Sequence, residues 1–233
     1  MNTLNPTFSG RQRRIGGTVL PRHRHEASYL ALVLSGGYEE AGDRARHRVH
    51  AGDLVLHGAF EAHLNRYEST GAEVLNLLLP DWLEPAAPVM RAADPDFAVR
   101  LAENDPRAAI DFLLSTAKAI AVRAPDWQDE LALAIAQNPQ LCLGNWARRY
   151  GLADATVSRG FRQVYGLSPS AYRLQIRGRM AWRKALVGRG SLSQLSADTG
   201  FSDQAHMTRA VGLITGRTPG SWRKQRSIHT CIK

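Results

Sequence analysis

The apolar positions of this chain change period near residue 105. Before that point they come in short runs closed by turn-forming residues. Tyr29 to Leu34 (YLALVL) stops at Ser35-Gly36-Gly37, Leu54-Val55-Leu56 follows the turn His50-Ala51-Gly52-Asp53, and Glu73 to Leu79 stops at Pro80. Runs of this length between Gly and Pro signals predict strands, and strands so punctuated fit a β-sandwich or small barrel. From Asp105 the spacing becomes helical: Ala108, Ile110, Phe112, Leu113, Leu114 and Ala117 suit a helix over about 107–122. Its apolar side would pack on the barrel or pair two copies of the chain. Pro125 then marks a linker, and everything beyond Trp127 reads as helices joined by short turns.

The helical half contains an internal repeat. Leu143-x-x-Trp146-Ala147-x-x-Tyr150-Gly151-Leu152 returns 49 positions later as Leu192-x-x-Leu195-Ser196-x-x-Thr199-Gly200-Phe201. Each copy describes a short amphipathic helix ended by Gly, the residue a tight turn favours. A second helix follows each. Val157, Phe161 and Val164 form an apolar stripe in the first; Met207, Val211 and Ile214 do so in the second. Both close alike, with Gly166-x-Ser168-Pro169 and Gly216-x-Thr218-Pro219. Helix, Gly turn, helix is the helix-turn-helix pattern.

With the stripes buried, spacing turns Asp154, Ala155, Thr156, Ser158, Arg159 and Arg162 outward on the first of these helices. On the other it exposes Ser202, Asp203, Gln204, His206, Thr208 and Arg209. The start of a recognition helix enters the major groove, where Gln suits adenine, Arg suits guanine or phosphate, and Ser or Thr suits either bases or backbone. Plainer readings stand beside these. Arg159 and Arg209, at equivalent positions, fit intramolecular or phosphate contacts equally well. Asp203 fits an N-cap better than a base reader, and His206 also fits a packed position. Between the units, Ser170 to Val187 predicts a long helix carrying Arg173, Arg177, Arg179, Arg183 and Lys184, whose plain reading is a solvated face. Such a helix spans roughly 27 Å, close to the ~34 Å between successive major grooves.

Charge divides the chain at the same place. Residues 127–233 hold 16 Lys+Arg against 5 Asp+Glu, and residues 1–126 hold 14 against 16, so the formal net charge of +9 arises wholly from the second half. A basic half beside a near-neutral one predicts a polyanion, double-stranded DNA, for the former and another task for the latter. The two cysteines, Cys142 and Cys231, share no paired spacing, which argues against a disulfide scaffold or zinc ribbon. No apolar run reaches membrane-spanning length and residues 1–10 lack a signal core, so the expected location is the cytoplasm, with no membrane partner. The early basic cluster Arg11, Arg13 and Arg14 reads as a disordered tail.

Residues 127–226 resemble the DNA-binding region of AraC/XylS regulators. The most specific stretch is Gly200-Phe201-Ser202-Asp203-Gln204-Ala205-His206-Met207-Thr208-Arg209 followed by Gly216-x-Thr218-Pro219-x-x-Trp222-Arg223, which is similar to the family's G-F-x-D-Q-x-H-F-x-R…G-x-T-P-x-x-[YF]-R pattern. The first unit matches through Val157-Ser158-Arg159-x-Phe161 and Gly166-x-Ser168-Pro169-x-x-Tyr172. The resemblance implies seven helices, two of them recognition helices, and a linking helix. The chain departs from the pattern at Met207 and Val211 (usually Phe), Ser196 (usually Ala), Thr199 (usually apolar), Gly212 (usually basic) and Gly178 (usually Leu). All but Gly178 lie in the second unit, which predicts a softer core and weaker grip there. Gly178 inside a helix costs up to about 1 kcal/mol in propensity.

The first half resembles a cupin less closely. Gly17, His23-x-His25 and Gly36 fit the first cupin motif, and His63 falls at a later ligand position, but Tyr29 or Leu30 stands where the motif has Glu. His23, His25, Tyr29 and His63 are the candidate effector-binding residues. Three imidazoles could also hold Zn, Fe or Ni, whereas the regulatory cupins that this family carries imply a small effector and no metal or other cofactor. Among eight histidines, His47, His50 and His57 make chance clustering a further reading.

The expected fold is α+β: a cupin-like β-barrel or sandwich over residues 1–104, a helix and linker over 105–126, possibly for dimerisation, and an all-α domain over 127–233. That last domain holds two helix-turn-helix units joined by a long helix. The expected function is a sequence-specific DNA-binding transcription regulator modulated by a small-molecule effector, not an enzyme, with RNA polymerase and a second copy of the chain as further partners. Two alternatives remain at this point: a metal-dependent cupin enzyme carrying a DNA-binding domain, and a constitutive regulator whose first domain only dimerises.

Overall fold

The computed structural model describes residues 3–5, 9–44, 46–79, 87–120, 126–188 and 190–230. The chain divides into two compact units, Met1–Asp129 and Glu130–Lys233. The first contains β1 (Thr3–Asn5), β2 (Gly10–Arg14), β3 (Val19–His25), β4 (Tyr29–Gly42), β5 (Arg46–His50), β6 (Asp53–His57), β7 (Ala62–Leu78), β8 (Val89–Arg91), α1 (Pro95–Asn104), α2 (Pro106–Thr116) and β9 (Lys118–Ala119). Among the described residues nine strands join one sheet in the order β1-β3-β7-β4-β6-β8-β9, with β2 also pairing β7 and β5 also pairing β4.

Two long strands organise this sheet. β4 and β7 run antiparallel from Tyr29↔Leu78 to Gly42↔His63, with register shifts between Val33 and Ser35 and between Gly36 and Tyr38. Ser35-Gly36-Gly37, expected to end a strand, is instead a bend within one. Gly36 and Gly71 both adopt positive φ, 68° and 74°, and a Cβ on Gly36 would lie 2.0 Å from the Gly71 carbonyl oxygen. A Cβ on Gly71 would in turn lie 2.2 Å from the Arg14 carbonyl oxygen, so Gly36 lets β4 approach β7 and Gly71 lets β7 approach β2.

The run YLALVL is buried on both faces, which accounts for its unbroken apolarity. Leu30 and Leu32 pack with Leu54, Leu56, Leu75 and Leu77 against Ala98 of α1 and Ala109, Ile110 and Leu113 of α2. Tyr29, Ala31 and Val33 face the opposite way, with Val55, Val74 and Tyr38. One sheet face therefore carries helices and the other lines an interior.

Two expectations need correction. The helix expected over 107–122 is α2, and an unexpected helix, α1, precedes it: Asp105 ends α1 and caps α2, accepting from the backbone N–H groups of Arg107 and Ala108 at 3.0 and 2.9 Å. α2 stops at Thr116 and β9 follows; Val122 and the Pro125 linker lie outside the described residues. Arg11, Arg13 and Arg14 are not a disordered tail but belong to β2, paired with β7 from Gly10↔Asn76 to Arg14↔Ala72. Alternation along β2 alone gave no apolar signal, because the strand is polar throughout.

Helix α3 (Trp127–Gln137) spans the boundary between the units, and α4 (Leu143–Arg149), α5 (Asp154–Tyr165), α6 (Pro169–Val187), α7 (Leu192–Asp198), α8 (Gln204–Thr215) and α9 (Pro219–Thr230) complete the chain. The seven helices α3–α9 match the expected number among the described residues. Helix α6 is the spine. Near its start Tyr172 meets Phe161 and Tyr165 of α5 at ring separations of 5.3 and 5.4 Å; near its end Trp182 meets Trp222 of α9 at 5.9 Å. Tyr165, fully buried, replaces the expected Val164, which is only half-buried.

Gly178 has a packing reason beyond propensity. A Cβ there would lie 2.4 Å from Ile214 Cδ1 and 3.4 Å from the Ala210 carbonyl, so the glycine lets α8 settle onto α6. Replacing Gly178 by the family's usual Leu is expected to destabilise the protein by about 1–3 kcal/mol through overpacking, despite about 1 kcal/mol of better helix propensity. Urea unfolding measures this; a more stable Gly178→Leu protein would mean that the close approach is not needed.

Candidate nucleic-acid interface and barrel cavity

Each helix-turn-helix unit is built from a short helix, a glycine at positive φ and a longer second helix. Gly151 (φ 64°) and Gly200 (φ 74°) make the two turns. The start of α8 is capped by Asp203, which accepts from the His206 backbone N–H at 2.7 Å; these bonds hold its carboxyl below the usual range. That is the N-cap role, and Asp203 is thereby oriented by its own helix. Helix α5 starts at Ala153 without a side-chain cap, but Asp154 in its first turn complements the helix dipole.

Burial separates the two faces. Val157, Phe161, Met207 and Val211 are each at most 4% exposed. Asp154, Ala155, Thr156, Arg159, Arg162, Ser202, Gln204 and Arg209 are exposed, while Ser158, His206 and Thr208 are half-buried. Ser202 sits in the turn before α8 rather than on it. Gln204 accepts a hydrogen bond from the Ser193 hydroxyl at 3.1 Å, and His206 packs its ring edge against Phe201 at 5.1 Å. Two of the substitutions that predicted a softer second unit carry hydroxyls that find partners: Ser196 donates to the Ser193 carbonyl and Thr199 to the Leu195 carbonyl, both at 2.7 Å. Neither buried hydroxyl is left unpaired, which removes the main cost of placing it there.

The arginines of α6 are not simply a solvated face. Arg173 donates to the Leu141 carbonyl at 3.0 Å. Arg177 donates to the Thr199 carbonyl at 3.1 Å, and its guanidinium lies 4.6 Å from the Phe201 ring centroid. One arginine thus holds the segment before α4, the other the turn of the second unit. Sequence spacing could not show this, because both contacts are made to carbonyls remote in the chain.

In the first unit, the sheet interior lines an open pocket of about 290 Å³. His23, His25, Tyr29 and His63, the four residues singled out from sequence, all line it, together with His57 and Arg14 among others. Pairing explains the convergence: His23 lies opposite His63 on β3 and β7, and Tyr29 opposite His57 on β4 and β6. Tyr29 Oη is 3.4 Å from His63 Nε2. His23 Nδ1 is 2.9 Å from the Pro21 carbonyl; a carbonyl only accepts, so Nδ1 carries the proton and Nε2 the lone pair. Glu40, missed in the sequence, has a carboxylate oxygen 3.6 Å from His57 Nε2.

Burial sets the protonation of these groups. It lowers His23 to about 4 against the carbonyl bond that raises it, and pushes His57 and His63 well below the ordinary imidazole value. It raises Glu40 to about 8, aided by the charge of Glu61. At neutral pH the wall therefore presents neutral imidazoles, with the protonated Glu40 behind His57. A chamber of this size and mixed lining suits a small molecule. His23, His25 and His63 place donor atoms within 4.8 Å of one another, as do Glu40, His57 and His63.

Comparison with known proteins agrees with the helical half. Residues 146–225 match a family described as a helix-turn-helix domain. The virulence regulon transcriptional activator VirF of Yersinia enterocolitica and the thermoregulatory protein LcrF of Yersinia pestis are each 32% identical over 81 residues, 35% of this chain and 30% of theirs. The match thus spans under a third of those relatives. Among solved structures, ToxT from Vibrio cholerae, with an unsaturated fatty acid bound, is similar over 92% of this chain and 93% of its own at 9% identity and a TM-score of 0.42. An AraC-type regulator from Chromobacterium violaceum is 26% identical over 42% of this chain and 88% of its own, with a TM-score of 0.39. No helix among the described residues is long and apolar enough to cross a membrane. Residues 146–225 are thus similar to a helix-turn-helix domain.

Proposed function

We propose that the chain is a sequence-specific transcription regulator that grips double-stranded DNA through α5 and α8, with a small-molecule effector in the barrel cavity adjusting that grip. The observation that carries this reading is the repetition. Two helices at equivalent positions bury their apolar stripes and expose a polar first turn, each with an arginine, Arg159 or Arg209, at the same place. The basic excess of the same half supports a polyanionic partner. Asp154, Ala155, Thr156, Ser158, Arg162, Ser202, Gln204, His206 and Thr208 are the remaining contact residues, with Gln204 and His206 also tied within the protein. The linking helix of 19 residues has about the length to bridge successive grooves.

In this reading the protein works in the cytoplasm and is a regulator rather than an enzyme, with RNA polymerase and a second copy of the chain as further partners. Self-association would use a surface other than the apolar side of α1 and α2, which the sheet already covers. The effector would meet His23, His25, Tyr29 and His63.

DNA binding is tested by selecting duplexes from a random pool with the full chain and measuring affinity by fluorescence anisotropy. Arg159→Ala and Arg162→Ala are each expected to weaken binding by about 1–3 kcal/mol, and wild-type affinity is expected to fall steeply with salt as phosphate contacts release counterions. Unchanged affinity in both variants, or a flat salt dependence, would exclude α5 as a DNA-contacting helix.

A further inference from the structure

We propose that Glu40, His57 and His63 form a binding site for one divalent transition-metal ion. The three donors come from β4, β6 and β7, and one ligand atom of each lies within 4.8 Å of the others. All three residues are buried, at 4%, 3% and 2% exposure. Glu40 Oε2 and His63 Nδ1 make no hydrogen bond, and His57 Nε2 lies 3.6 Å from that carboxylate oxygen.

The neighbouring buried carboxylates behave differently. Asp43 accepts from the Ala62 backbone N–H at 3.0 Å and pairs with Arg22. Glu61 accepts from the Gly58 backbone N–H at 3.0 Å and from Arg44 Nε at 3.2 Å. The Glu40 carboxyl takes a hydrogen bond from the Asn65 side chain, but its Oε2 has none and lies 3.6 Å from His57 Nε2 with a His63 ring nitrogen within 4.8 Å, a preorganised donor set in want of an acceptor of lone pairs. Two histidines and one carboxylate are the donors that Zn2+ and Fe2+ take with positions left open, and borderline ions such as Co2+ and Ni2+ suit them too. His57 and His63 line the cavity, so the ion would sit in its wall.

His63 also belongs to the grouping with His23 and His25, but one ion cannot use both sets. The atoms without hydrogen bonds belong to Glu40 and His63, and Glu40 brings the carboxylate that the other grouping lacks. That choice separates this site from the three-histidine one suggested by sequence. Calling the ion an effector rests on the reading of the barrel as the sensing domain; the site itself does not.

The test uses full-length, tag-free protein stripped by chelator and titrated with Zn2+ and Co2+ against a chromophoric competitor. One equivalent is expected to bind. Glu40→Gln and His57→Asn, with folding checked by circular dichroism, are expected to weaken Zn2+ binding by at least about 100-fold, more than changes outside the ligand shell cost. The double variant His23→Asn/His25→Asn is expected to keep the site. Should His57→Asn fail to fold, the near-isosteric Glu40→Gln decides. No stoichiometric binding to the wild type, or loss only in the His23/His25 variant, would overturn the proposal. DNA affinity is measured on the same samples: absent metal binding with intact DNA binding refutes the site alone, and bound metal without DNA binding supports the site and refutes the regulator.

Discussion

Asp43→Asn is expected to destabilise the first unit by about 3–5 kcal/mol, the usual result of removing one partner from a buried ion pair. Asp43 and Arg22 each have side chains only 2% exposed. Arg22 also donates to the Ala41 carbonyl at 3.1 Å, and Asp43 accepts from the Ala62 N–H. Arg24, 2% exposed, lies close enough for burial to lower its guanidinium pKa while Asp43 is the charge that opposes the shift. One carboxylate therefore compensates two buried cations. Asparagine keeps the size of the side chain and an acceptor for Ala62, so the loss reports the charge. The contrast is Glu73→Gln at the exposed Arg11–Glu73 pair, 3.9 Å apart with side chains 52% and 35% exposed, where less than about 1 kcal/mol is expected. Urea unfolding of both variants measures the difference. An Asp43→Asn protein as stable as Glu73→Gln would show that Arg22 and Arg24 do not depend on that charge.

Periodicity made the second unit legible because its helices bury one stripe each and repeat. The spacing of Val157 and Phe161, and of Met207, Val211 and Ile214, depends only on 3.6 residues per turn, and Gly151, Gly166, Gly200 and Gly216 mark their ends in the sequence itself. The resemblance carried the same stretch independently. Less legible were contacts between elements, such as Arg177 with Thr199 and Phe201, because a charged residue on a helix carries no signal of what its neighbour offers.

The first unit was harder to read for a geometric reason. Along β4 the interior face is occupied by Tyr29, Ala31 and Val33, but beyond the bulges near Gly36 by Tyr38 and Glu40. A bulge adds one residue and exchanges the two faces, so period-two reasoning started at Tyr29 sends Glu40 to the wrong side. β7 changes face likewise: His63, Asn65 and Tyr67 line the cavity before Gly71, Val74 and Asn76 after it. Gly36 was visible as a turn signal, but its position opposite Gly71 was not, since that requires the pairing of two distant strands. His23-x-His25 could be found because no bulge falls between its members. His57 could have been found by its place at the end of DLVLH, two residues beyond the inward Val55, but nothing local tied it to Glu40.

Trp222→Ala is expected to cost the second unit about 3–5 kcal/mol and with it most DNA binding. The indole is 1% exposed and meets Trp182 of α6 edge-on. Its Nε1 donates to Thr215 Oγ1 at 2.9 Å, and Thr215 in turn donates to the Val211 carbonyl at 2.9 Å. Thr215 is the last residue of α8, so one buried ring of α9 fastens the end of α8. Alanine would open a cavity between α6 and α9 and leave Thr215 without that donor. Phenylalanine, within the family's usual choice of aromatic at this place, keeps much of the ring volume and loses the hydrogen bond, for which about 1 kcal/mol is expected. The two variants separate packing from the polar contact. A Trp222→Ala protein with wild-type urea midpoint and undiminished affinity would mean that α8 is held elsewhere. A Phe variant as damaged as the Ala variant would place the effect in the Thr215 bond rather than in the ring. Stability and DNA affinity are expected to fall together in the order wild type, Phe, Ala, because α8 can present its outer face only while its inner face and its end are fixed.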